Sequence, residues 1–475
     1  MGKRIFLVLL IISFGFTLLA GDGGFRIELR IKNLPDTSLF LAHYYGDKTY
    51  LDDTAYLEKN GRFIFSADTL LPGGVYIVAG QNHTKYFELL IDREQNFRIE
   101  TEFPDFIQHA KIKGSTDNML FFKFLRENGL IRKGIWELQD SLKKVTGEEA
   151  RETILKRIDE LNQRSDSIQR AILQEAGPES FTSVLLNAMT DPAAGDTLKK
   201  LASADSLKAY RYFKDHYWDN LNPSDERLLR TPLYHNRLSR YFSEVILQDP
   251  DTLITEIDHF VSRLNDTSEC FKYVVWYLTY RFETSKIMGF DEIFVHMVDT
   301  YYSSGRAYWA SASTVKTLRE RAEQLRRLLI GAPAPDLILM DTLGGFKSLY
   351  AVKSPLTLVL FYEYGCSHCR KEIKELKQWD EKNSFGIRVF AVCTDTSLTG
   401  WKNFIHKENL PWVHVNATRS VTPDYHQLYD IRTTPTIYLL DEQKRIVAKR
   451  ISVAQIREYL PAWMAEYRRK RKSRE

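Results

Sequence analysis

Four residues, Cys366-Ser367-His368-Cys369, constrain the fold of this chain more than any other feature. They follow TLVLFYEYG, an apolar run that predicts a buried strand. They open CSHCRKEIKELKQWDEKN, where Ile373 and Leu376 give the apolar stripe of a helix. A strand that passes into a helix at paired thiols predicts an α/β domain built on a central sheet. The surrounding sequence agrees. GAPAPD is a proline-rich opening at a domain boundary, and DLILMDTLGGFKSLYAV predicts a hairpin turning at Gly344-Gly345. RVFAVCTD predicts a second strand, LTGWKNFIHKENL a second helix, TIYLLD and RIVAKRI a further strand pair, and a last helix starts near Val453.

The position of the thiols has chemical consequences. Cys366 falls at the helix N-terminus, where unpaired N–H groups and the macrodipole favour an anion. His368, when protonated, and Arg370 and Lys371 add positive charge nearby. These influences favour the thiolate, the form that attacks disulfides. Cys369 lies three residues on, beneath the first sulfur on the same helix face, which suits an exposed nucleophile and a sheltered resolving thiol. A zinc site would need a second pair of ligands at matching spacing, and none exists. Haem attachment needs His after the second Cys, where this chain has Arg370. Copper binding by the two thiols with a remote His, and a static disulfide, stay open beside redox chemistry.

A second signal lies downstream. Thr433-Thr434-Pro435-Thr436 precedes the apolar run IYLL, an arrangement that resembles the cis-proline loop of the thioredoxin fold. GAPAPD, FYEYGCSHCRKE, VFAVCTD, WKNFI and YDIRTTPTIYLLD together make residues 331–465 similar to the TlpA/ResA-type thioredoxin-like domains of bacterial envelopes. That resemblance implies Cys366 as nucleophile, Cys369 as resolving thiol and Pro435 as the cis-proline preceded by Thr434. It implies that Glu372 tunes the thiols or relays protons; a surface charge on a helix is the alternative. Three positions depart from the pattern: Gly365 where a Trp often precedes the first Cys, Leu360 at the place of thioredoxin's buried acid, and Lys374 at the kink proline. His368 before the second Cys is similar to disulfide isomerases and oxidases, whereas TlpA/ResA-type domains are often reductants, so the direction of exchange stays open. Peroxide reduction is disfavoured, because Glu363 stands where that chemistry uses Thr or Ser.

The start of the chain sets the compartment. MGKRIFLVLLIISFGFTLLAG has a basic start, an apolar stretch from Ile5 to Leu19 and a small pair, Ala20-Gly21. Residues 1–21 therefore read as a secretory signal peptide, too short to span a bilayer comfortably at roughly 20 apolar residues. An uncleaved anchor is the alternative. The mature chain is expected to be soluble in the periplasm or cell envelope. Four cysteines in 475 residues are too few for a disulfide scaffold.

Residues 22–115 predict a β-sandwich of about eight strands, with Asn60-Gly61 before RFIF as a hairpin signal. Residues 116–330 predict a helical domain, punctuated by Gly177-Pro178 and Asp191-Pro192 and dense in packing aromatics. Both zones resemble uncharacterised domains that precede thioredoxin domains in exported Bacteroidetes-type proteins. Cys270 and Cys393 read as buried thiols without redox function. His216 and His259 lack a metal-like partner spacing and read as structural.

Two bases in the leader and six in the last eight residues account for more than the whole net charge of +4, so the body is near neutral. That argues against a nucleic-acid partner; the basic tail reads as a solvated helix end, with an anionic membrane surface as the alternative. The expected protein is thus a multidomain α+β chain, with a β-sandwich, an all-α part and residues 331–475 as a thioredoxin-like α/β domain. It exchanges dithiol and disulfide with disulfide-containing envelope proteins, draws on a thiol–disulfide electron donor and needs no cofactor. The alternatives are a redox-inactive binding module and a copper-handling protein.

Overall fold

FRIELRIK alternates apolar and polar side chains, and as strand β1 (Phe25–Lys32) it buries Phe25, Ile27, Leu29 and Ile31 on one face. The same alternation builds the rest of the N-terminal part in this computed structural model, which describes residues 24–191, 196–382 and 385–472. The leader, residues 1–21, and the tip of the basic tail lie outside the described residues. Seven further strands follow: β2 (Ser38–Tyr45), β3 (Lys48–Tyr56), β4 (Phe63–Ala67), β5 (Gly74–Ala79), β6 (Lys85–Ile91), β7 (Asn96–Glu102) and β8 (Lys111–Lys113). They form two four-stranded sheets, β4-β1-β7-β8 and β3-β2-β5-β6. The β-sandwich expected over this zone is present.

Asn60-Gly61 makes the tight turn its residues call for: Gly61 has φ +77° and Arg62 N–H donates to Asn60 Oδ1 at 3.1 Å. It does not make a paired hairpin. β3 pairs with β2, whereas β4 pairs with β1 in the other sheet. Local turn chemistry fixes the reversal; burial of Phe63 and Phe65 opposite Leu29 and Ile27 fixes the strand partner.

The helices Thr116–Lys144 and Glu148–Ala176 form a long antiparallel hairpin. Ser115 caps the first, accepting from Asn118 N–H. The buried Asn118 side chain bonds both backbone groups of Leu90, at 2.8 and 2.7 Å, and so ties the helix start to the end of β6. Leu120, Phe124, Ile172 and Leu186 pack at the hairpin base. The chain divides into two compact units, one running to Ile246 with Ser268–Cys270, the other Leu247–Thr267 with everything from Phe271. The helices are shared between them.

The second unit contains a seven-stranded sheet of β9 (Ile338–Asp341), β10 (Phe346–Ser348), β11 (Leu356–Tyr362), β12 (Ile387–Cys393), β13 (Val413–Ser420), β14 (Thr436–Leu440) and β15 (Ile446–Lys449). The strand order is β10-β9-β13-β12-β11-β14-β15. β11, β12 and β13 are parallel, and the others join antiparallel, giving the mixed sheet the sequence predicts. All seven residues of central β11 are buried. Leu356, Leu358, Leu360 and Tyr362 face one core with Ile373, Leu376, Trp401, Ile456 and Leu460. Val359 and Phe361 face the other with Phe390, Val392, Tyr429 and Tyr438. Helices Ser367–Asp380, Leu398–Glu408 and Val453–Lys472 supply the first cover, so the helix carrying the thiols is held down along its length. Among the described residues no helix is long and apolar enough to cross a membrane.

One ion pair anchors an earlier helix to this sheet. Lys449, at the end of β15, has a side chain only 4% exposed and donates to Asp291 and to the Leu328 carbonyl. Removing the acid leaves a buried ammonium with one neutral partner. Asp291→Ala should therefore cost about 3–5 kcal/mol, read as a lowered urea midpoint of the second unit; an unchanged midpoint would show that the pair contributes nothing.

Candidate active site

β11 ends at Tyr362, and Glu363-Tyr364-Gly365 carries the chain to Cys366, which caps the Ser367–Asp380 helix. Tyr364 N–H donates to Asp395 Oδ2 at 2.7 Å, and Cys366 N–H to the Glu363 carbonyl at 3.3 Å, so both sides of the turn are pinned. Cys366 has extended backbone, φ −74° and ψ 128°, as a cap requires, and its Sγ accepts from Cys369 N–H at 3.4 Å. In the structure both sulfurs are free thiols, Cys366 partly exposed and Cys369 buried.

The two thiols are driven apart. The Cys369 N–H, then the Cys369 thiol, and then the His368 N–H stabilise the Cys366 thiolate and lower its pKa, against slight desolvation and the Glu363 charge. Burial chiefly, together with the neighbouring Cys366, raises Cys369. A low, accessible sulfur above a high, sheltered one is the asymmetry that sequential attack and resolution require.

The Thr434–Pro435 peptide is cis, as the resemblance implies. Thr434 reaches the same place from the other side: its hydroxyl bonds Glu363 Oε1 at 3.2 Å and acts to lower the Cys369 pKa against the burial that raises it. Cys366, Cys369, Thr434 and Pro435 thus come together. His368 is exposed on the first helical turn and lines an adjoining cleft of about 630 Å³ with Thr434 and Pro435. Glu372 lines that cleft too, but its Oε2 accepts from Val453 N–H at 3.0 Å, at the start of the terminal helix. It is neither a free surface charge nor a direct partner of a sulfur.

Leu360, at the position of thioredoxin's acid, is fully buried among apolar side chains. Cys393 and Cys270 are both buried, and burial pushes each thiol up to about 12, which suits inert packing. Three acids near the site escaped the sequence reading as site residues: Glu363, Asp395 and Asp430. Asp395 follows the second strand in VCTD, and Asp430 stands four residues before Thr434. Each lies in a stretch already singled out, but its contacts are long-range.

Comparison with known proteins bears on the stretch that contains this site. Residues 330–449 match the family described as AhpC/TSA. The C-terminal part is a thioredoxin-like domain. Residues 25–121 and 201–327 match two domains of unknown function, DUF4369 and DUF5106. A thiol-disulfide oxidoreductase ResA of Bacillus cereus is 23% identical over 140 residues, covering 29% of this chain and 78% of that protein. The ResA of Bacillus subtilis is 28% identical over 120 residues, covering 25% of this chain and 64% of that protein. Among solved structures, a domain of a possible thiol-disulfide isomerase from Cytophaga hutchinsonii is 32% identical, with 30% of this chain and 97% of that one covered and a TM-score of 0.27. The names of the two Bacillus relatives are consistent with an oxidoreductase. The thioredoxin-like domain covers under a third of the chain, and the two preceding domains bring no activity with them.

The thiol asymmetry has a direct readout. Alkylation of the reduced protein by iodoacetamide should label Cys366 at pH values where an ordinary thiol is protonated, and spare Cys369 until far higher pH. Labelling fades as pH falls through the depressed Cys366 pKa. Peptide mapping by mass spectrometry checks this; equal labelling of the two at every pH would contradict the asymmetry.

Proposed function

We propose that this chain is an exported thiol–disulfide oxidoreductase that exchanges the Cys366/Cys369 dithiol with disulfides of envelope proteins. In the reducing direction the Cys366 thiolate attacks a substrate sulfur, forming a mixed disulfide and releasing one substrate thiolate, which takes up a proton. Cys369 then loses its proton and attacks Cys366 Sγ, releasing the second substrate thiol. Two electrons pass from the dithiol to the substrate, and a thiol donor restores the reduced pair. The opposite direction runs the same steps backwards. His368 and Glu372 are assigned as tuning residues, Thr434 and Pro435 as the surface that receives the substrate chain.

The observation that carries this reading is the capping geometry: Cys366 Sγ accepts the Cys369 N–H at 3.4 Å beside the Thr434–Pro435 loop. Export rests on the leader sequence, and proximity to anionic membrane on the basic C-terminal residues.

Insulin reduction by the full chain with dithiothreitol should exceed that of the Cys366→Ser, Cys369→Ser double variant, which should fall to the uncatalysed rate. Equal rates would end the enzymatic reading. Cys369→Ser alone should accumulate mixed disulfides on a non-reducing gel, because nothing resolves them; their absence would reassign the nucleophile.

A further inference from the structure

Asp430 ends the short helix Tyr425–Tyr429, and its side chain is 4% exposed. Arg321 clamps both carboxylate oxygens, at 2.6 and 2.8 Å. That pairing already neutralises the acid. Two more guanidinium groups nevertheless sit on it: Arg432 Nε at 3.2 Å from Oδ1, and Arg450 on Oδ2. Three cations share one carboxylate, a surplus of two positive charges.

The surplus faces one way. Arg432 and Arg450 line the cleft that contains His368, Thr434 and Pro435, whereas Arg321 does not. Their side chains are 67% and 39% exposed, so most of their donors remain available. Lys371 lines the same cleft, 75% exposed, with its ammonium 4.0 Å from Glu375, and Glu372 leaves the cleft one positive charge in surplus. A chain laid across Thr434 to bring a disulfide to Cys366 would pass this positive cleft. Asp430 holds the two arginines in place from below, so little ordering is left for the bound partner to pay for.

We propose that this cleft selects protein substrates whose disulfide is flanked by acidic residues, with Arg432 and Arg450 contacting the carboxylates. The inference rests on the exchange reading above and narrows its substrate class. The chemistry is unchanged: the Cys366 thiolate attacks a sulfur of the substrate disulfide, Cys369 resolves the mixed disulfide, and the substrate leaves as two thiols. The arginines act on the encounter and on the bound segment.

The test uses the full chain, reduced beforehand with dithiothreitol and freed of it, mixed with synthetic peptides that each contain one internal disulfide. The peptides differ only in having Glu, Gln or Lys beside the cysteines. Single-turnover rates of protein oxidation are measured. The Glu peptide should react about fivefold faster than the Gln peptide at low salt, the upper range for exposed ion pairs, and the Lys peptide should be slowest. The Glu-to-Gln ratio should shrink in Arg432→Gln, an exposed position where folding is not at stake, and in about 1 M salt, where the screening length is about 3 Å. Equal rates for the three peptides would overturn the acidic preference while leaving disulfide exchange intact. A preference that survives Arg432→Gln combined with Arg450→Gln would overturn the assignment to this cleft. Failure of every peptide to oxidise the protein faster than Cys366→Ser would remove the exchange reading and this inference with it.

Discussion

The second unit depends on the burial of β11. Seven consecutive residues, Leu356 to Tyr362, are covered on both faces, which fixes the strand in direction and register. Because the strand cannot shift, the turn after it delivers Cys366 to a fixed point, and the helix beyond is clamped by Ile373 and Leu376 in the same core. Cys366 is therefore positioned by apolar packing along the preceding strand, and the polar contacts of the turn only orient it. A site on the end of a rigid element is more precisely held than one on a free loop.

Much of this was legible beforehand. Strand TLVLFYEY, the helix with its Ile373 and Leu376 stripe, and the Thr434-Pro435 turn are each encoded by neighbours in sequence, so pattern reading finds them. The eight N-terminal strands are legible for the same reason. What pattern reading missed is pairing. Asn60-Gly61 announces a reversal, yet the partner of β4 is chosen by Phe63 and Phe65 burying beside β1, some 35 residues earlier, which no local signal encodes. Glu372 is the corresponding case at the site. Its helix position is obvious, but its hydrogen bond to Val453 joins residues 81 apart. The Asp430 cluster likewise gathers Arg321 from 109 residues upstream and Arg450 from 20 downstream.

The electrostatics of the site divide into two scales. Within a few ångströms of the sulfurs, the N–H groups of one helical turn lower the Cys366 pKa and burial raises that of Cys369. Farther out, arginines on a common carboxylate set the charge of the adjoining cleft. The first scale is a property of any helix capped by a thiol. The second belongs to this chain, since it draws on Arg321 and Arg450 from separate elements of the second unit. The pKa of the thiols and the charge of the cleft can therefore change independently.

The long helical hairpin has a different kind of freedom. In its first helix burial stops at Ile131, and in its second only Ile172 is buried, so the fixed contacts are gathered at the base. Two helical turns, about seven residues, could be inserted into or removed from each arm near 144–148 without disturbing a single buried neighbour. Such a change would carry the tip outward or inward by about 10 Å. Reach, in that arm, is set by chain length alone and can be altered without repacking anything.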